Sequence, residues 1–212
     1  MPDYLSPDWP ASALVLIDVQ HDFVDGATPI PGTADALPAM AELTRAFRAA
    51  GRPVFHIVRS YAPGESDVDL IRREAIESGA QMVVPGTPGA GIPRELLPDD
   101  ADPALDWESL RAGGTQRVGP EEFVVYKPRW SAFHRTELDE LLRERSVSTV
   151  VVAGCNLPNC PRATLFDASE RDYRTVLVAD ATSQTTPERL ADLTLIGVQT
   201  SDVAAVRTAI GY

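Results

Sequence analysis

Four side chains in this sequence are of the types that make and break bonds at a carbonyl carbon: Asp18, Lys127, Cys155 and Cys160. A carboxylate that takes a thiol proton, an ammonium that favours thiolate and a thiolate that attacks carbon are a sufficient kit for nucleophilic acyl chemistry. Each lies at the carboxyl end of a short apolar run, and the chain separates them widely. Of the 19 Lys and Arg residues, Lys127 is the only lysine. Lysine can give up its proton when desolvated and arginine cannot, so in a chain that supplies positive charge as arginine, this lysine marks a place where guanidinium does not substitute. Chance also leaves a single lysine.

Between the two cysteines, Cys160 is the better nucleophile. Asn159, Cys160 and Pro161 read as a helix start, with proline where its missing N–H costs nothing. A helix N-terminus stabilises thiolate and aims free N–H groups at a developing oxyanion, so one turn supplies both nucleophile and oxyanion hole. Cys155 follows Gly154 directly and reads as a packing residue. Each group has a plainer alternative: free cysteines are among the most buried residues, and Asp18 can cap a helix or pair with an arginine. The shared location at strand ends favours the joint catalytic reading.

The elements that must position these groups follow from the apolar runs. Residues 13–18, 53–59, 123–127, 149–154 and 175–180, with a short piece at 197–200, read as strands buried on both faces. Helical patterns fill 33–50, 67–78, 136–145, 161–173 and 188–195, the first two ending at Gly51 and Gly79. Thr136 followed by Asp139 resembles a capping box. Strands alternating with helices of this length call for right-handed crossovers and a mainly parallel α/β sheet covered on both faces. Ligands bind such sheets beyond the carboxyl strand ends, where strand order reverses. Residues 80–122 are rich in Pro, Gly and Asp, with a weak helix at 107–112. They read as a loop-rich excursion inside one domain spanning 1–212, of the kind that covers a site or an interface.

Composition narrows the function classes. A chain of 212 residues with a net charge of −12 and 44% hydrophobic content fits one globular domain. Its acidity and lack of Lys/Arg runs argue against nucleic acid and anionic membranes as partners. The longest apolar run, 13–17, is far below the ~20 residues that cross a bilayer. The opening Met-Pro-Asp-Tyr lacks the basic-then-apolar order of a secretion signal. A cytoplasmic location is expected, where both cysteines stay as thiols. His21, His56 and His134 are scattered, with no spacing that fits a metal site.

The sequence resembles the isochorismatase-like cysteine hydrolases, which include nicotinamidases, N-carbamoylsarcosine amidases and ureidoacrylate hydrolases. The matching pieces run through most of the chain: Leu16 to Phe23 around Asp18, Val84 to Leu96, Val125 to Phe133 around Lys127, Gly154 to Cys160, and Val178 to Ala181. The resemblance implies a three-layer Rossmann-like fold with a six-stranded sheet, often in homodimers or homotetramers. It implies Asp18 as general base, Lys127 as its charged partner and Cys160 as nucleophile, with a cis peptide between Cys155 and Asn156. The oxyanion hole would be the N–H groups of Asn156 and Cys160. Leu157, Pro158 and Pro161 depart from the family's usual Thr, Asp or Asn, and Val, making the nucleophile loop stiffer and less polar. Family nicotinamidases hold a metal through an Asp and His residues after the second strand. Residues 59–65 here contain neither, so no metal or other cofactor is expected.

Phe23, Tyr61, Arg129, Trp130, Phe133 and Arg162 are the candidates to line the substrate pocket, with Arg129 or Arg162 suited to a bidentate grip on a substrate carboxylate. The reaction expected is cysteine-dependent hydrolysis of a small non-peptide amide, lactam or ureido C–N bond through a thioester. Two rivals stand beside it: an isochorismatase-type vinyl-ether hydrolase that does not need the cysteine, and a non-catalytic or redox binding protein on the same fold.

Overall fold

Successive residues of the first strand enter two different cores, and this alternation builds the layers. Ser12–Ile17 forms β1, buried along its whole length. Leu14 and Leu16 pack with Met40, Leu43 and Phe47, whereas Ala13, Val15 and Ile17 pack with Leu138, Leu142 and Leu165. A strand covered on both faces needs an unbroken apolar run, which is what the sequence carries there. The structure, a computed structural model, describes residues 3–212, so the first two residues of the N-terminal stretch lie outside it.

The remaining strands are β2 (Val54–Val58), β3 (Thr115–Gly119), β4 (Glu122–Tyr126), β5 (Thr149–Gly154), β6 (Arg174–Thr182) and β7 (Gln199–Ser201). They form one sheet in the order β3-β4-β2-β1-β5-β6-β7. All pairings are parallel except β3 with β4. The helices are α1 (His21–Val24), α2 (Thr33–Ala49), α3 (Leu70–Glu77), α4 (Trp107–Arg111), α5 (Leu138–Glu144), α6 (Cys160–Ser169), α7 (Pro187–Thr194) and α8 (Val203–Ile210). Apolar residues of α2 and α8 cover one face of the sheet, and those of α5, α6 and α7 the other.

The sheet thus has seven strands where six were expected. The additional strand, β3, lies inside the 80–122 excursion and forms an antiparallel edge; its residues are half-buried or exposed and mostly polar, so no apolar run announces it. The capping box also fails: α5 starts at Leu138 behind Glu137 without a side-chain cap. The Thr136 hydroxyl donates to the Ala132 carbonyl and accepts from the Leu138 N–H only at a long 3.4 Å, and Asp139 is taken by Arg143 and Tyr173.

Strand order reverses between β1 and β5, since the chain builds outward from β1 through β2 to β4 on one side and from β5 through β6 to β7 on the other. The crevice at their carboxyl ends is therefore the expected ligand position. At that point the Cys155 N–H donates to the Ile17 carbonyl at 2.8 Å. Gly154 makes this approach possible: its φ is +117° and a Cβ there would meet the Ile17 oxygen at 2.4 Å.

The excursion is tied over the same rim. The Gln20 amide donates to the Arg59 and Ala90 carbonyls and accepts from the Arg59 N–H, joining the ends of β1 and β2 to residue 90. Buried Asp22 accepts from the Val83 N–H at 2.6 Å. A third apolar cluster, including Phe23, Tyr61, Val68, Val83 and Cys155, fills the space beneath. Among the described residues, no helix is long and apolar enough to cross a membrane.

Candidate active site

The three strand ends deliver their side chains to one place. Asp18 follows β1 directly, with φ at +53°, a left-handed conformation uncommon for a residue other than glycine. Its N–H donates to Ile57 of the neighbouring strand. Lys127 follows β4 and must reach past the end of β2. Its Nζ lies 2.7 Å from Asp18 Oδ2 and 3.2 Å from the Arg129 carbonyl, and the lysine is fully buried. Asp18 is 3% exposed, and its Oδ1 has no hydrogen-bond partner among the described residues. One carboxylate oxygen is thus held by the ammonium and the other left available.

Cys160 opens α6, with Asn159 before it and Pro161 in the first turn. Its sulfur interacts with Asp18 without completing an aligned hydrogen bond to Oδ1. Burial pushes the thiol up to about 11 and the Asp18 charge adds to the effect, outweighing Lys127 and Arg59, which pull it down. This direction is opposite to the thiolate that the helix start and the ammonium favour in the sequence reading. The helix start and the ammonium are present, but removal from water and the neighbouring carboxylate outweigh them and favour the protonated thiol of Cys160. Cys155 is also buried and is raised to about 12, chiefly by desolvation.

The peptide bond between Cys155 and Asn156 is cis. Neither the Asn156 nor the Cys160 N–H donates to a backbone carbonyl among the described residues, so both are free to receive a ligand oxygen. The Asn156 side chain is anchored on Gln184 at 3.0 Å.

These groups border a cavity with about 270 Å³ of open space, walled by Asp18, Cys160, Asn156, Phe23 and Trp130 on one part of its rim. Its interior is narrow. Of the predicted lining residues, Phe23 and Trp130 are in place. Tyr61 is not: it is buried behind Arg59, its hydroxyl donating to Asp69 at 2.9 Å. Phe133 is core, stacked on Tyr173 with ring centroids 6.0 Å apart. The Arg129 guanidinium turns outward to Asp67 at 2.5 Å, leaving only its carbonyl at the site. Arg162 faces Asp192 and the Phe166 ring on the surface of α6. In each case a nearer carboxylate or aromatic neighbour claims the side chain.

The cavity is also lined by residues outside the predicted set: Arg59 just past β2, Arg72 in the first turn of α3, Ile30, Asn159, and Cys155, which was read as a packing residue. The position of Arg59, one residue past an apolar strand on the same rim as Asp18, was a usable signal; for Arg72 the sequence carries none. Among the described residues no three His, Cys, Asp or Glu side chains cluster as a cation site.

The family profile described as the isochorismatase domain matches residues 12–116 and 111–209. The chain belongs to the isochorismatase family. Within it, a probable inactive nicotinamidase of Arabidopsis thaliana is 32% identical over 91% of this chain and 92% of its own length. The ureidoacrylate amidohydrolase RutB of Methylobacterium radiotolerans is 29% identical over 99% of this chain and 83% of its own. Among solved structures, an isochorismatase family protein from Desulfovibrio vulgaris superposes with a TM-score of 0.79 at 33% identity, covering 95% of this chain and 99% of that one. The isochorismatase-family fold, with helices on both faces of a mostly parallel sheet, is thus the one built here.

Proposed function

We propose that this isochorismatase-family chain is a cysteine-dependent amidohydrolase acting on a small non-peptide amide, lactam or ureido C–N bond. The observation that carries the reading is the buried Lys127–Asp18 pair, at 2.7 Å, whose second oxygen has no partner among the described residues and whose carboxylate lines the same cavity as Cys160. The amidohydrolase relative RutB supports the same bond class.

In the first half-reaction Asp18 takes the Cys160 proton through Oδ1 as the sulfur adds to the substrate carbonyl carbon. The Asn156 and Cys160 N–H groups receive the oxyanion. Asp18 then passes the proton to the leaving nitrogen, the C–N bond breaks and a thioester remains on Cys160. In the second half Asp18 takes a proton from water, the hydroxide adds to the thioester carbonyl, and the departing sulfur recovers that proton as the acid leaves. Lys127 stays fixed on Oδ2 throughout and keeps the carboxylate aimed. A raised thiol suits this cycle, because proton transfer and attack occur together only when a substrate has displaced water.

The test is a screen for ammonia and amine release from amides, lactams and ureido compounds, with Cys160→Ala as comparison. Turnover in the native enzyme that falls by on the order of 10⁴-fold or more in the variant is expected. Full activity in Cys160→Ala refutes the reading and favours vinyl-ether cleavage by the acid alone.

A further inference from the structure

The strand beside the crevice reaches back to hold the loop that carries the nucleophile. β6 pairs with β5 in register as far as Leu177 opposite Val152; the register then shifts, and Thr182 stands opposite Gly154. The extra residues of β6 arch outward and bring residues 182–184 against the loop between Gly154 and Cys160. The Ser183 N–H donates to the Gly154 carbonyl at 3.1 Å, and the Ser183 carbonyl accepts from the Leu157 N–H at 3.0 Å, so one residue ties both ends of the segment Cys155–Asn156. Ser183 is itself buried and accepts from the buried Thr33 hydroxyl at 3.1 Å.

Gln184 adds the bond that reaches Asn156 itself. The Asn156 carboxamide donates to Gln184 Oε1 at 3.0 Å, and neither side chain makes another hydrogen bond among the described residues. Gln184 stands at a φ of +58°, in the left-handed region that disfavours a side chain and suits glycine. Its carbonyl accepts from the Arg189 guanidinium at 2.6 Å, which fastens it to α7. Other residues with a side chain share that backbone region, so the deciding fact is what this side chain reaches. Asn156 walls the cavity of Cys160, and Gln184 stands behind it, outside the wall. A side chain kept where glycine fits better, and spent on one bond to the site, points to a functional task.

Resting on the amidohydrolase reading above, we propose that Gln184 is a positioning residue for the oxyanion hole: by holding the Asn156 carboxamide, it fixes the direction of the Asn156 N–H. Donors stabilise a developing oxyanion when they are already aimed at it, and a misplacement of about 1 Å costs on the order of a hundredfold in rate. Three bonds share the aiming. The Cys155 N–H on the Ile17 carbonyl, at 2.8 Å, holds the chain before Asn156, and the Asn159 N–H on the Asn156 carbonyl, at 3.0 Å, holds the chain after it. Gln184 holds the side chain. Rotation about the Asn156 N–Cα bond is then restrained from both carbon branches of Cα. Gln184 touches no substrate and moves no proton; it acts through Asn156 alone.

Gln184→Gly separates positioning from stability, since it removes the side chain and suits the backbone at that φ. Its urea unfolding should show stability kept or raised. For whichever amide, lactam or ureido compound the ammonia screen finds turned over, kcat should fall about tenfold to a hundredfold with KM nearly constant. Gln184→Glu, which keeps an acceptor for the Asn156 carboxamide, should recover most of the rate. Asn156→Ala should lose as much as Gln184→Gly, and the double variant no more than either. A second measurement needs no turnover. Acetaldehyde labelled with carbon-13 adds to the Cys160 thiol as a thiohemiacetal: the S–C bond forms, the C=O π bond breaks and the thiol proton passes to the aldehyde oxygen, which takes the place of the oxyanion. Followed by NMR with Cys160→Ala as blank, its dissociation constant should rise about tenfold in Gln184→Gly and in Asn156→Ala. A Gln184-dependent adduct without turnover of any amide leaves the positioning role standing, and only the amidohydrolase reading falls. Adduct affinity indifferent to Gln184, no adduct in the native protein, losses that multiply in the double variant, or a fall in kcat that tracks loss of folded protein overturns the proposal.

Discussion

Asp18 divides its two oxygens between two tasks, and the site depends on that division. Oδ2 is fixed by a fully buried ammonium, and Oδ1 is left without a partner among the described residues, in the cavity that Cys160 also lines. Removing the lysine leaves a buried carboxylate without its counter-charge. Lys127→Met is expected to lower unfolding free energy by about 3–5 kcal/mol and to abolish turnover, read by urea denaturation and the ammonia assay. Lys127→Arg should not rescue either, since a planar fork cannot replace a point charge in a space with no exposed surface. The thiol carries its own signature. With Cys160 raised to about 11 from an ordinary 9.0, its thiolate fraction at pH 8 is about a hundredfold below that of an ordinary cysteine. Iodoacetamide should label it correspondingly slowly, with a rate that climbs with pH toward about 11. Labelling faster than free cysteine at neutral pH would contradict a protonated resting thiol.

At the scale of elements, the contact between the ends of β1 and β5 sets the distance from carboxylate to thiol. Gly154→Ala places a Cβ against the Ile17 backbone at a φ of +117°. A loss of about 3 kcal/mol or more is expected in denaturant unfolding, with catalytic loss even where the fold persists. Those strand ends are also why the site was legible in the sequence. Runs such as 13–17 and 149–154 are buried on both faces, so they stay apolar until the chain reaches the rim, and the first polar residue after them stands out. The same logic misses β3, a polar edge strand, and α8, whose eight residues carry too short a period, although Asp202 capping the Ala205 N–H was a readable start. Aromatics and arginines near the rim were assigned to the pocket by proximity in sequence. Tyr61, Phe133, Arg129 and Arg162 turned elsewhere because their directions depend on neighbours such as Asp69, Tyr173, Asp67 and Asp192, contributed by other parts of the chain. Arg72 entered the cavity for the same reason: the fold of the segment between β2 and α3 aims it.

For the whole molecule, the two ends of the sheet perform separate work. Beyond the carboxyl ends lies the site; toward the opposite end, buried Glu122 holds β4 to β2 and α2 through His56 at 2.7 Å and Arg48 at 2.8 Å. Burial alone would raise the Glu122 carboxyl, but the bonds from His56 and Arg48 outweigh it and hold it below its ordinary 4.5. A carboxyl depressed in the folded state contributes stability that is present above its unfolded value and lost as pH falls through the folded one. Glu122→Gln should therefore cost about 3 kcal/mol at pH 7 and flatten the decline of stability below about pH 4.5, measured by urea unfolding across pH. Because the site is remote from this cluster, activity per folded molecule should persist in the variant at neutral pH.

The proposed reaction requires a bond between the Cys160 sulfur and the substrate carbon. Acid-quenched intact-mass analysis during turnover of a slowly released small amide or ureido compound, followed by peptide mapping, addresses it directly. The expected result is an acyl mass on the peptide carrying Cys160, absent in Cys160→Ala and in Asp18→Asn. Steady turnover with no adduct on Cys160, and undiminished in Cys160→Ala, would contradict it.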